Sequence, residues 1–383
     1  MTAQHPAAAW LGDKQGAMLA LIEELVNIDS GSYDKPGVDA VGERLRRFLN
    51  EQGIPTVTIP NQRHGDVLKA QVAGGGGSNK PIVLMGHRDT VFPKGEAGRR
   101  PFRVENGRAY GPGVCDMKGG LVLNAFVLAA YQHCGGAPAP LVGLFTSDEE
   151  IGSPDCRPVI EETARDARAV FNSEPGRPSG NIVTGRKGGV FMALETYGKA
   201  AHSGGNYAEG RSAILELAHK TIALQALTDL ERGITVNVGL VSGGQSVNTV
   251  APHAEAQIDL RYIRPEDRAE AMSRIEAIVA GSTVAGVTAR LEIRGEFHPL
   301  VQDEGGRALF DVYRDAMAGV GLAVEGEFAG GCADSGFTAS VGCPTLCAVG
   351  PVGGNAHSPE EWLAVDSLVP RAQGMALAIA ALR

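Results

Sequence analysis

Three carboxylates in a row, Asp148, Glu149 and Glu150, sit in the run TSDEEIGS at 146–153, directly after an apolar stretch. Like charges packed at the end of a strand repel one another, and a divalent cation would relieve that repulsion. Two neighbouring carboxylates can then divide the work: one ligates the cation, and the other takes a proton from water that the cation has made acidic. A solvated acidic turn would read the same way. A second chemistry-bearing stretch is PIVLMG at 81–86, which runs into His87, Arg88 and Asp89. A spacing of two on an extended chain sends both side chains to one side. His87 can then sit on a metal while Asp89 holds its second ring nitrogen or orients it from behind. A structural histidine fits the same letters.

Asp116 lies in the glycine-bracketed loop GPGVCDMKGG at 111–120, where glycines let the backbone turn sharply and approach an ion. It could equally be a helix N-cap. Lys118 beside it reads as a solvated charge or one that supports the ligands. Glu174 in FNSEP and His357 in GGNAHSPEE follow at later strand ends and loops. Taken together, two histidines and three carboxylates with no thiolate suit zinc, and cobalt or manganese as substitutes.

Such a set needs strand ends to carry it. Apolar positions at Val41, Leu45, Phe48 and Leu49 recur with helical period, and the helical pattern extends from Gly16 to about Leu49. Short β-branched runs at 57–59, 67–73 and 81–86 read as strands, with Gly74 to Gly77 as a flexible turn. Residues 119–132 read as a buried helix, 141–147 as a strand, 156–165 as a helix and 167–173 as a strand. This alternation predicts an α/β domain with a mostly parallel central sheet, whose sites form at the carboxyl ends of the strands.

Between 187 and 298 the order becomes strand, helix, strand, strand, helix, strand, a ferredoxin-like βαββαβ module inserted into the α/β domain. Three segments result: 1–186 and 299–383 for the α/β domain, and 187–298 for the insert. Helices near 305–319 and 368–382 complete the first domain. At 383 residues the chain exceeds the size at which one hydrophobic core stops growing, so two domains are the natural expectation.

With 35 Lys and Arg against 44 Asp and Glu, the net charge of -9 argues against binding nucleic acid or an anionic membrane. The six cysteines form no CxxC pair, so reduced thiols are expected, with Cys343 and Cys347 as small core residues. The amino-terminal stretch shows no basic start followed by an apolar run, and nowhere do about 18 apolar residues run together. The expectation is a cytoplasmic enzyme, unless a leader has been removed.

The motifs GHRDT, GPGVCDMKGG, TSDEEIGS, FNSEP, GKAAHSGG and GGNAHSPEE, in this order, resemble the di-zinc metallohydrolases. That family includes glutamate carboxypeptidases of the carboxypeptidase G type, acetylornithine deacetylase and succinyl-diaminopimelate desuccinylase. The resemblance spans roughly residues 17 to 380. It implies that His87 and Glu174 hold one zinc, that Glu150 and His357 hold the other, and that Asp116 bridges them. Glu149 becomes the general base, and the Asp116–Met117 peptide bond is expected to be cis. The insert becomes a lid that also makes a homodimer. Its motif GKxxHxG falls on Gly198, Lys199, His202 and Gly204, and His202 would reach the neighbouring subunit's site to stabilise an oxyanion.

By the same resemblance Asn248 and Arg261 would hold the substrate's carboxylate. Arg261 is the better-motivated anchor, because a guanidinium offers two parallel donors. Arg186 and Lys187 read as a further anion contact or as charges at the domain junction. Gly330 and Gly331 would line the substrate pocket, with Asp334 supporting from behind. The implied reaction is attack of water on an amide carbonyl, with Glu149 accepting the proton and returning it to the amine. Glu174, rather than aspartate, at its position is more like the carboxypeptidase and deacylase branches than the aminopeptidase branch. A carboxypeptidase releasing a C-terminal residue, preferably glutamate, from a small peptide or N-acyl amino acid is therefore favoured. The alternatives are an N-acyl-amino-acid deacylase of the acetylornithine or succinyl-diaminopimelate type and, more remotely, a non-catalytic metal- or ligand-binding dimer.

Overall fold

The structure, a computed structural model, describes residues 5–75 and 80–382. Gly76 and Gly77 of the expected glycine turn lie outside the described residues. The chain divides into two compact units. One comprises residues 1–185, 300–329 and 333–383, and the other residues 186–299 together with Gly330–Cys332.

The first unit is built on an eight-stranded sheet, in the order Thr56–Ile59, Val67–Val72, Leu141–Thr146, Ile82–His87, Ala169–Asn172, Thr345–Cys347, Ile182–Arg186 and Gly326–Ala329. The four central strands, from Leu141–Thr146 to Thr345–Cys347, run parallel. Val67–Val72 and Ile182–Arg186 pair antiparallel on either side of them. Every residue of Ile82–His87 is buried, which is why this strand reads as an unbroken apolar run: helices cover both faces of such a sheet. The helix Gly119–His133 is buried along nearly its whole length, and its Tyr131 hydroxyl donates to the Ala376 carbonyl at 2.6 Å. Val114–His133 has the length and mean hydropathy, 1.3, of a membrane span, yet 94% of its apolar window is buried within this unit.

The helical stretch expected from Gly16 to Leu49 is instead two helices, Gln15–Val26 and Lys35–Glu51. The break holds Asn27, Asp29, Ser30, Gly31 and Ser32, whose side chains compete for backbone hydrogen bonds or leave the backbone too free. Pro36 then occupies the first turn of the second helix, where its missing N–H costs nothing. A small four-stranded sheet, Gly353–Gly354, Trp362–Ala364, Arg108–Tyr110 and Arg103–Glu105, has no counterpart in the sequence reading. Strands of two and three residues carry no periodicity to detect.

The second unit is an antiparallel sheet, Thr235–Gly243, His253–Tyr262, Gly188–Tyr197 and Thr288–Phe297, with helices Ala213–Gln225 and Pro265–Ala280. Its core joins Val190, Met192 and Leu194 of the sheet to Leu217, Leu224 and Ile275 of the helices. The first of these helices starts at Ala213, because the Ser212 hydroxyl caps it by accepting from the Leu215 N–H.

Candidate metal centre

His87 is the last residue of its central strand, and its ring is buried. Nδ1 lies 3.0 Å from the Asp89 backbone carbonyl and 3.4 Å from the Asp89 Oδ1. A carbonyl can only accept, so Nδ1 carries a proton and Nε2 is the ring atom left to face a cation. The Asp89 carboxylate does more than back the histidine. It accepts from Ser32 Oγ at 2.7 Å and from the backbone N–H groups of Glu149 and Glu150 at 3.2 and 3.1 Å. One buried acid thereby fixes the backbone on which the other two stand.

The loop carrying Asp116 turns through Gly111 and Gly113, both at positive φ, and the Asp116–Met117 bond is cis. Glu361, buried, accepts from the N–H groups of Gly113, Cys115 and Asp116 at 3.0, 2.9 and 3.0 Å. Pairing of Trp362 with Tyr110 in the small sheet brings Glu361 to this loop. Asp116 caps no helix. Its Oδ1 stands 3.2 Å from His87 Nε2 and its Oδ2 stands 3.2 Å from His357 Nε2, so one carboxylate lies between two imidazoles. Lys118 is not a solvated charge: it is buried, donates to the Ile28 carbonyl at 2.8 Å, and burial pulls its pKa down to about 7.

His357 sits at φ +64° in the loop between two strands of the small sheet, and its Nε2 lies 3.1 Å from Glu150 Oε2. His87 Nε2 lies 3.8 Å from Glu174 Oε1 and 3.9 Å from Glu149 Oε2. These two separations are too long for hydrogen bonds. Two ligands bound at about 2.0–2.2 Å to a tetrahedral zinc stand roughly 3.3–3.6 Å apart, so a shared cation accounts better for the Glu174 separation, with Glu149 standing beside it. His87, Asp116 and Glu150, and again His87, Glu149 and Glu174, each bring ligand atoms within 4.8 Å of one another. Glu150 Oε1 is buried with no hydrogen-bond partner, an acceptor that a cation would satisfy. The donor set fits one or more divalent cations.

The electrostatics follow from crowding. Burial works against charge on His87, but hydrogen bonds to Asp116 and Asp89 outweigh it and raise its pKa. Asp116 and Glu150 push His357 up to about 10. Burial alone would raise Asp116, yet His357 and His87 hold it below the usual carboxylate range. Glu149 goes the other way: burial, reinforced by Glu174 and Glu150, raises it against the pull of His87. Burial also pushes Glu361 and Asp334 up to about 7. Asp334 accepts from Ser153 Oγ at 2.5 Å and Thr146 Oγ1 at 3.3 Å. Asp148 serves the turn itself, accepting from the N–H groups of Asp155 and Cys156. Glu361 went unnoticed in the sequence, where its only signal is a second acid following His357.

The structure thus brings His87, Asp89, Asp116, Glu149, Glu150, Glu174 and His357 to one place in the first unit. His202, Asn248, Arg261 and Gly331 belong to the second. His202 is exposed, and its Nδ1 accepts from the N–H groups of Gly204 and Gly205, both at 3.1 Å, which leaves the ring proton on Nε2. Asn248 is exposed, and its Oδ1 accepts from Ser246 Oγ at 2.8 Å. Arg261 does not present an open fork: its Nε and Nη2 donate to the two carboxylate oxygens of Asp259 at 2.7 and 3.1 Å. Lys187 donates to the Gly233 carbonyl at 2.7 Å, and Arg186 to the Gly331 carbonyl at 3.1 Å.

The family model for peptidase family M20/M25/M40 matches residues 83–381. Carboxypeptidase G2 of Pseudomonas sp. (strain RS-16) is 31% identical over 373 residues, covering 95% of this chain and 88% of the relative. Acetylornithine deacetylase of Edwardsiella ictaluri (strain 93-146) is 28% identical over 378 residues, covering 92% and 94%. Among solved structures, an M20 family metallo-carboxypeptidase from Sulfolobus solfataricus superposes with a TM-score of 0.78 at 18% identity, covering 95% of this chain and 99% of that one.

Proposed function

This chain belongs to peptidase family M20/M25/M40, and on that premise we propose that it is a two-zinc hydrolase releasing a C-terminal amino acid, glutamate by preference, from a small peptide or N-acyl amino acid. The observation that carries this reading is the Asp116 carboxylate, whose Oδ1 lies 3.2 Å from the His87 ring and whose Oδ2 lies 3.2 Å from the His357 ring. His87 and Glu174 would hold one cation, Glu150 and His357 the other, and Asp116 both. When bound, the cations supply Lewis acidity and lower the pKa of water.

The remaining work falls to the chain. Glu149 is buried beside the ligands and is itself unligated, and its raised pKa suits a group that takes a proton from the attacking water and returns it to the departing amine. Asp89 holds the Glu149 and Glu150 backbone in place, and Glu361 holds the Asp116 loop. His202, with its proton on Nε2, is a ready donor to the developing oxyanion in the neighbouring subunit. Exposed Ile214, Ile222, Leu240 and Val241 in the second unit support pairing of two chains through it. Arg261 and Asn248 would receive the substrate's carboxylate, with the Gly331 backbone alongside.

A second reading, an N-acyl-amino-acid deacylase, draws on the likeness to acetylornithine deacetylase. A hydrolysis screen of zinc-loaded protein against dipeptides, N-acylglutamates and acetylornithine, with and without chelator, separates the two. Chelator-sensitive release of glutamate supports the carboxypeptidase. Turnover of acetylornithine alone selects the deacylase. No hydrolysis anywhere, with zinc bound, would leave a non-catalytic binding protein.

A further inference from the structure

Arg261 is held on three sides. Asp259 precedes it by two on the strand His253–Tyr262, so both side chains leave one face of the sheet. The carboxylate takes Nε at 2.7 Å and Nη2 at 3.1 Å, a two-point contact that fixes the plane of the guanidinium. Phe191, directly across from Asp259 on the neighbouring strand, lies with its ring centre 5.0 Å from the guanidinium carbon. Nη1 donates to Cys332 Sγ at 2.8 Å. That thiol comes from the tripeptide Gly330–Cys332, which is remote in sequence but part of this unit. Arg186 Nη1 anchors the tripeptide by donating to the carbonyls of Gly331 at 3.1 Å and Cys332 at 3.4 Å. Gly189, opposite Arg261, leaves the necessary room: a Cβ there would stand 2.9 Å from the Cys332 sulfur and 3.4 Å from Arg261 Nη1.

An arginine carries five N–H donors. Asp259 and Cys332 use one on Nε and one on each terminal nitrogen, which leaves one hydrogen on Nη1 and one on Nη2. We infer that Asp259 is a positioning residue that turns Arg261 into an end-on receptor, with two terminal donors for the carboxylate of the substrate. This rests on the reading of Arg261 as the carboxylate anchor. An arginine on its flexible stem would otherwise lose entropy on binding, whereas one already clamped has lost it in folding.

The test compares N-benzoyl-glutamate with its α-carboxamide in wild type and in Asp259→Asn, which keeps the shape and removes the charge. In Asp259→Asn the KM for the free acid should rise about tenfold while kcat stays within about twofold. Both constants for the carboxamide should be unchanged, which also reports that the variant is folded. An unchanged or lowered KM for the free acid would overturn the proposal, because Asp259 would then be a bystander or a competitor for Arg261. Asp259→Glu, which can restore the pairing, should recover part of the loss. Arg261→Lys tests the underlying reading separately: if it discriminates acid from carboxamide as wild type does, the anchor is elsewhere.

Discussion

In the first unit, Asp89, Asp116, Glu149 and Glu174 are gathered about two imidazoles with Glu361 buried behind the Asp116 loop, and one carboxylate oxygen of Glu150 has no hydrogen-bond partner. In the second, the acids have basic partners of their own, whether buried, as Glu216 with Lys220 at 3.0 Å, or exposed, as Glu292 with Arg294 at 3.0 Å. A buried carboxylate without full compensation costs several kcal/mol, whereas an exposed pair is worth about 0–1 kcal/mol. The first unit therefore stores a demand for positive charge that the second meets with its own lysines and arginines, and bound cations would supply it.

The contrast can be pressed hardest at Glu149. Glu149→Ala removes a proton carrier but none of the proposed ligands, so both cations should remain by elemental analysis while kcat falls on the order of 10² or more. Normal turnover would take Glu149 out of the chemistry.

Next comes pH in the chelated protein. His357 is raised from 6.5 to about 10, so its stabilising contribution is full below 6.5 and is lost as pH rises through about 10. Glu361, raised from 4.5 to about 7, and Asp334, raised from 3.8 to about 7, have the same sign: stability present below their ordinary values drains away as pH rises through about 7. Asp116 is lowered and so opposes this only below its ordinary 3.8. Lys118, lowered from 10.5 to about 7, has the opposite sign and offsets the loss at His357 above about pH 7, so calorimetry of the metal-free protein should show Tm falling chiefly from about pH 5 to pH 7. Zinc should restore it most strongly at the high end, where protons no longer compete for the imidazoles. A flat profile without metal would remove the asymmetry between the units.

A smaller effect is expected at Glu361→Gln, which weakens a three-point clamp on the Asp116 loop. A loss of about 1–3 kcal/mol in stability, read by denaturant unfolding, should accompany weaker zinc binding in a competition titration. The smallest belongs to the second unit: Arg294→Ala breaks an exposed pair and should shift stability by less than about 0.5 kcal/mol.

Much of this was legible in the chain alone. His87, Asp116, Glu150, Glu174 and His357 stand out because each follows an apolar strand or lies in a glycine-rich loop, and runs of alternating type mark the α/β order and the βαββαβ insert. Local chemistry and local periodicity are written in neighbouring letters. Partnership across long separations is not. Glu361 reaches a loop 245 residues away, Gly330–Cys332 joins a unit whose main body ends at residue 299, and Asp259 occupies an arginine that the sequence presents as free. Strands of two or three residues place His357 beside Asp116, too short to announce themselves. The sequence thus determined which side chains could do chemistry and which elements would carry them. Only tertiary structure decided which backbone amides each acid holds, because a buried carboxylate takes whatever donors packing brings within reach.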